Sequence, residues 1–344
     1  MTPTPLRLNG VAGSPYTRKM LALLRYRHIA YRLVHSAAGI PGLPVSRPHL
    51  LPTFYLPGAD GAIAAVTDST PLIRRFERDF NGRAAIPADP ALAFIDALLE
   101  DFGDEWLTKA MFHYRWTYAA DVRKAERILA CWRGEPQDDP TLAATAAQVS
   151  SRQVPRLRYV GSNPTTGPVI EAGYRRVLDA MEDHLRTHRF LMGGRPGASD
   201  FAVYGQLTQL TQFDPTPMAL ATEIAPRVCA WVLMVEDLSG LDPTEGDWLD
   251  ASHLPDSLLR LLQEVGRLYA PLLLANARAI EAGAAEVQAS VDGQPWVQQA
   301  FAYQAKCLAW LARDHQALDA GARATVDAAL AGTGCEALFP AAPG

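Results

Sequence analysis

Apolar and polar positions change in short runs over the first 82 residues and then settle into long helical periods. "LRLNGV" (6–11) reads as a strand. "PYTRKMLALLRYR" (15–27) places Met20, Leu21, Leu23 and Leu24 at the spacing of an amphipathic helix. "IAYRLV" (29–34) is a second strand, and "TFYL" and "AIAAV" flank the turn-rich "PGADG" as a β-hairpin. "STPLIRRFERDF" (69–80) reads as a helix with Ser69 or Thr70 as its cap and Pro71 in its first turn. The order is therefore β-α-β, a gap, then β-β-α. "NGRAAIPADPA" reads as a linker. Periodic patterns then predict helices over 90–133, 141–160, 168–188, 198–213 and 223–238. "LSGLDPTEGDWLDASHLPD" breaks the run, and further helices are expected over 256–283, 293–316 and 320–332. The pattern divides into an α/β domain (1–82), a linker (83–89), an all-helical domain (90–240) and a C-terminal helical extension (241–344).

With 344 residues, 49% of them hydrophobic, the chain can bury more than one core. A net charge of -5 with scattered basic residues offers nucleic acid no electrostatic footprint. No stretch approaches the roughly 18 apolar residues of a membrane span, and "MTPTPLRLNG" lacks the pattern of a secretory signal. The four cysteines (131, 229, 307, 335) lie far apart and the eight histidines form no HExxH, so reduced thiols in a cytoplasm and no metal site are expected.

Three short motifs carry candidate chemistry. In "Ser14-Pro15-Tyr16-Thr17", serine is a favoured N-cap and proline a favoured first helical residue, so a plain helix cap accounts for the motif. The same geometry also offers free N–H groups, a positive dipole end and a hydroxyl to an anion such as a thiolate. "Leu51-Pro52" enters a strand where proline is uncommon, which fits an edge position or a cis bond that turns the Leu51 backbone toward a peptide ligand. "Asp68-Ser69-Thr70-Pro71" is again a cap; it could equally hold a zwitterion, with Ser69 taking a carboxylate and Asp68 an ammonium group.

In this order the motifs resemble the thioredoxin-like domain of cytosolic glutathione transferases. "RFLMGGRPGASDFAVYGQL" (189–207) and "APRVCAWVLMVED" (225–237) look like the segments before and within the central helices of that family's all-helical domain. The resemblance implies a catalytic Ser14 and a cis Pro52 with the Leu51 backbone facing the ligand. It also implies an Asp68-Ser69 pair for the γ-glutamyl group, glutathione as co-substrate, and a homodimer. Gly197 stands where the family has a capping Ser or Thr, with Asp200 retained; glycine is a tolerable cap without the side-chain bond. Asp68 is one methylene shorter than the commoner Glu or Gln, and residues 14 and 17 offer no thiol for disulfide chemistry.

The implied mechanism is stabilisation of the glutathione thiolate by the Ser14 hydroxyl and the helix dipole, followed by attack on a small hydrophobic electrophile. "DEWLTKAMFHYRWTY" (104–118) borders the electrophile in the family, which makes Trp106 and Tyr114 candidates for that pocket, Arg115 a candidate anchor for an acidic substrate and, from the first helix, Tyr16 a further candidate; the aromatic residues read more simply as core, and His113 as a structural residue. Two other readings stay open. One is an inactive binding or scaffold protein, as metaxin-like and failed-axon-connections-like proteins share the architecture in outline. The other is a glutathione-dependent isomerase or etherase. The C-terminal extension could lid the site, extend the helical domain or form a subunit contact.

Overall fold

A computed structural model describes residues 4–36, 40–132 and 136–340. Residues 1–3, the Arg133 end of the expected long helix and the last four residues of the expected extension lie outside the described residues. The α/β part has β1 (Leu6–Asn9), α1 (Pro15–Tyr26), β2 (Tyr31–Val34), β3 (Thr53–Pro57), β4 (Ile63–Val66) and α2 (Ser69–Asp79). The sheet order is β2-β1-β3-β4. β1 runs parallel to β2 (Leu6 beside Tyr31), and β3 is antiparallel to both β1 and β4 (Arg7 beside Tyr55, Phe54 beside Val66). This is a thioredoxin-like arrangement: the parallel pair needs the α1 crossover, while the tight turn after Pro57 suffices for the antiparallel one.

The helical part has α3 (Pro90–Glu105), α4 (Leu107–Thr117), α5 (Ala119–Cys131), α6 (Asp139–Gln153), α7 (Leu157–Val160), α8 (Gly167–His184), α9 (Ala198–Leu210), α10 (Pro215–Ile224) and α11 (Pro226–Val235). The single helix expected over 90–133 is thus three. At Trp106 the chain tightens, with the Lys109 N–H turning back to the Trp106 carbonyl (2.9 Å). At Tyr118 the backbone becomes extended (φ -90°, ψ 132°), which ends α4.

Every residue of α9 is buried, so this helix is the axis on which the two parts meet. Its Gly205 lies against α1: a methyl group there would sit 2.6 Å from the Pro15 carbonyl oxygen. The missing side-chain cap at Gly197 is replaced from α3. Asp96 accepts from the Ala198 N–H (3.1 Å) and the Ser199 N–H (3.0 Å), while Asp200 accepts from the Gly197 N–H (2.9 Å) and the Leu191 N–H (2.8 Å). A methyl group on Gly197 would lie 2.2 Å from Asp96 Oδ1, so glycine is what allows Asp96 to approach.

The C-terminal segment has α12 (Asp256–Glu264), a π-helical turn (Val265–Tyr269), α13 (Ala270–Glu281), β5 (Glu286–Val291), β6 (Gln294–Gln299), α14 (Ala302–Ala317) and α15 (Ala320–Leu330). The expected helix over 293–316 is corrected at its start to a β-hairpin. Asp292 (φ 54°) and Gly293 (φ 70°) form the turn, and Val287, Val291, Trp296 and Gln298 alternate inward. The "VDGQ" signal is present in the sequence, masked there by the long helical period that follows. α12 packs on α8, and α14 and α15 pack on α3. Leu258, Leu261, Leu268, Trp296, Leu311 and Leu330 belong to the same continuous core as α3 and α9, so the segment extends the helical body.

Candidate functional site

Ser14 caps α1 from an extended backbone (φ -98°, ψ 115°): its Oγ accepts from the Thr17 N–H at 3.2 Å. The same hydroxyl donates to the Leu51 carbonyl, also at 3.2 Å, so residues 37 apart in sequence meet at the helix N-terminus. The Leu51–Pro52 bond is cis, as is Arg47–Pro48.

Asp68 stands before α2 with φ 79° and ψ 106°, a backbone region that side chains other than glycine seldom adopt. It makes no side-chain cap; its Oδ2 accepts from the Tyr303 hydroxyl of α14 at 2.9 Å. Ser69 opens α2 beside a buried ionic network. Lys19, with no exposed side-chain surface, donates to Ser69 Oγ (3.1 Å), Glu100 Oε1 (2.8 Å) and Asp104 Oδ2 (2.6 Å). Thr70 donates to Glu100 Oε1 (3.0 Å), and Arg74 reaches Glu100 Oε2 (3.4 Å). Lys19 and Arg74 hold Glu100 below the ordinary carboxylate range against the cost of its burial. Asp104, where burial outweighs the attraction of Lys19, is pushed up to about 6, with Asp68 among the charges that raise it.

The acids of this network come from "LEDFGDE" on α3. Glu100, Asp101, Asp104 and Glu105 fall at i, i+1, i+4 and i+5, one face of a helix, interleaved with the buried Leu99, Phe102 and Trp106. Sequence reasoning missed Lys19, Glu100, Asp104 and Tyr303. A visible signal existed: four acids on one face of a largely apolar helix need buried partners.

The structure corrects the expected electrophile pocket. Trp106 is core, its ring 5.5 Å from Trp296. Tyr114 is buried and stacked on Tyr118 (5.8 Å). Arg115 is locked in a buried pair with Asp214 (2.8 to 3.1 Å) and also donates to Gln209 and to the Gly13 carbonyl, so it braces the loop before Ser14. Tyr16 is half-buried, and its hydroxyl donates to the Asp104 carbonyl (2.8 Å). Burial, Glu105 and Asp104 together raise its pKa well above the ordinary tyrosine value. His113 bonds Ser162 (2.8 Å) and Glu171 (3.0 Å), a structural setting. The apolar surface beside Ser14 comes from α5 and its end. A methyl group on Gly13 would lie 2.4 Å from the Leu129 side chain and 2.5 Å from the Trp132 ring, and Trp132 packs on Phe213 (5.4 Å). A cavity of about 210 Å³ is bordered by Thr70, Pro71, Asp101, Cys307 and Trp310.

Residues 8–84 match the family model for the glutathione S-transferase N-terminal domain, and residues 167–232 match the one for its C-terminal domain. Residues 8–84 and 167–232 thus carry the N- and C-terminal domains of the glutathione S-transferase family. Both matched domains occur in the order that the fold displays, with the candidate site on the first. α3 and the C-terminal segment lie outside both matched regions, so the acids around Lys19 and the Tyr303 contact are contributed by parts of the chain that neither model covers. Among solved structures, the chain is similar to a glutathione transferase from Pseudomonas putida with glutathione disulfide bound (13% identity, 69% of this chain and 93% of that one, TM-score 0.43). It is also similar to a glutathione S-transferase from Rhodospirillum rubrum (17%, 67% and 87%, TM-score 0.43) and to glutathione transferase E6 from Drosophila melanogaster (17%, 74% and 94%, TM-score 0.39). No curated protein sequence matches the chain.

Proposed function

We propose that this chain binds glutathione along Ser14, Leu51, Asp68 and Ser69 and presents its thiol as a thiolate to a small hydrophobic electrophile. The observation that carries the reading is the meeting of Ser14 Oγ with the Leu51 carbonyl at the N-terminus of α1. A thiol placed there lies within reach of a hydroxyl donor, a peptide edge for its own backbone and a helix dipole.

A free thiol with a pKa of about 8.5 is only a few per cent ionised at pH 7. The Ser14 hydrogen, which rests on the Leu51 carbonyl, would rotate to the sulfur, and the α1 dipole would add to its effect. Each unit by which the thiol pKa falls corresponds to about 1.4 kcal/mol, so one or two such donors suffice. Ser14 acts as a donor and not as a nucleophile. The γ-glutamyl carboxylate would take the Ser69 N–H at the start of α2, and its ammonium the remaining oxygen of Asp68. Leu129, Trp132 and Phe213 would form the apolar wall for the electrophile, in place of Trp106, Tyr114 and Arg115. The same reading includes a cytoplasmic location and a homodimer, the latter measurable by sedimentation of the purified chain.

A second reading, a binding or scaffold protein, is favoured by a specific observation. Each polar group of the site already has a partner in the chain: Ser14 with Leu51, Ser69 with Lys19, Asp68 with Tyr303. Calorimetric titration of glutathione into the wild type and Asp68→Ala separates the two. Saturable binding that Asp68→Ala weakens tenfold or more supports the first; no heat at millimolar glutathione in a folded sample supports the second. A panel of electrophiles then distinguishes conjugation from isomerisation or ether cleavage.

A further inference from the structure

The C-terminal segment enters the candidate site at one atom. Tyr303, the second residue of α14, donates its hydroxyl to Asp68 Oδ2 at 2.9 Å, across 235 positions of sequence. This contact is held from several sides. The Phe301 N–H and carbonyl are both bonded to Asn276 of α13 (2.8 and 2.9 Å), which clamps the entry to α14. Gln304 donates to Glu105 of α3 (3.2 Å). The Tyr303 ring lies against Trp310 (6.3 Å) and beneath the Lys306 ammonium (5.7 Å). The Asp68 backbone is itself held at a positive φ of 79°.

The Tyr303 hydroxyl therefore holds one oxygen of the Asp68 carboxylate and leaves the other for a cation. The short side chain at position 68 fits this arrangement. One more methylene would carry a carboxylate about 1.5 Å further, into a hydroxyl that already stands at hydrogen-bond distance.

We propose that Tyr303 is a positioning residue for the ammonium end of the ligand: it fixes Asp68 through Oδ2 so that Oδ1 faces the γ-glutamyl ammonium. This inference rests on the glutathione reading above. It assigns a ligand-orienting part to a segment outside both matched domains, and it pairs Tyr303 with an aspartate in preference to a glutamate.

The test is calorimetry on the full chain with two probes: glutathione, and an analogue in which a glutaryl group replaces γ-glutamyl and so lacks the ammonium. Tyr303→Phe removes one oxygen and keeps the ring. It is expected to weaken glutathione roughly three- to tenfold, the cost of ordering one loosened side chain, and to leave the analogue unchanged. Asp68→Glu supplies an independent measurement. It is expected to weaken glutathione in the wild-type background, and Asp68→Glu with Tyr303→Phe is expected to bind more tightly than Asp68→Glu alone. Equal weakening of both probes by Tyr303→Phe, or none, overturns the inference while the glutathione reading stands. If Tyr303→Phe does not fold, Asp68→Glu alone decides: weaker glutathione binding with the analogue unchanged supports the inference, and glutathione binding equal to the wild type overturns it. A wild type that binds neither probe at millimolar concentration overturns the glutathione reading itself, and the inference with it.

Discussion

Gly197→Ser separates what local chemistry expects from what the tertiary structure dictates. Serine is a better N-cap than glycine, by a few tenths of a kcal/mol or more, so the substitution ought to stabilise α9. The structure reverses the sign. A Cβ at position 197 would lie 2.2 Å from Asp96 Oδ1 and 2.7 Å from Met192 Cγ. Restoring ordinary contact requires Asp96 to retreat by roughly 1 Å. The Asp96 bonds to the Ala198 and Ser199 N–H groups, now 3.1 and 3.0 Å, would then stretch past hydrogen-bonding range. No residue of α9 is exposed, so the freed N–H groups have no water to turn to. Overpacking costs about 1–3 kcal/mol, and each stranded buried N–H about 1–3 kcal/mol more. The expected loss is at least about 3 kcal/mol, against a total stability of about 5–15 kcal/mol for an ordinary domain. Urea denaturation of the wild type and the variant measures it. Adding Asp96→Ala to Gly197→Ser should cost less than the two single losses summed, because the collision is gone. A Gly197→Ser protein as stable as the wild type, or more so, would refute the reasoning.

Ser14→Ala should lower the rate of conjugation about 10²-fold or more, as loss of one preorganised donor does elsewhere, while glutathione affinity changes less than threefold; an unchanged rate would remove Ser14 from the chemistry. Lys19→Met leaves Asp104 buried without a cation and Glu100 with Arg74 alone, and should destabilise by about 3–5 kcal/mol in denaturant titration, with part of the loss recovered by adding Glu100→Gln. Stability should also fall between pH 6.5 and 8.5. Burial pushes Asp96 and Asp101 up to about 7, and Glu105 and Asp200 up to about 8, whereas in the unfolded chain they titrate near 4. Over that window the folded chain holds protons that the unfolded chain has released, so the stabilisation, complete below about pH 4, is lost as pH rises through the folded values. His184, pushed down to about 4 by burial, acts in the opposite direction only below about 6.5. Thermal melts across the window check this, and a flat or rising profile would contradict it.

Much of the α/β domain was legible because its signals are local. A proline after a capping serine, a Gly-rich turn between two short apolar runs and an Asp-Ser-Thr-Pro start each act within a few residues. They place α1, the β3–β4 hairpin and α2 where the structure has them. The long helical periods likewise mark α8, α9 and α11. The β5–β6 hairpin was present as "VDGQ" and an alternating pattern, but a strong helical period beside it competed for the same residues. What sequence periodicity cannot supply is the partner of a buried polar group. Arg115 reads as an anchor until Asp214 is seen against it, and Gly197 as a weak cap until Asp96 arrives from α3. Trp106 reads as a pocket wall until Trp296 covers it. These partners lie roughly 100 to 190 positions away, and Tyr303 lies 235 from Asp68. The sequence by itself determined where α1, α2 and the β3–β4 hairpin begin, because capping and turn chemistry act over three or four residues. Which side chains meet a ligand and which meet each other was decided only by tertiary packing, because a buried charge or amide must find its partner wherever the chain brings one.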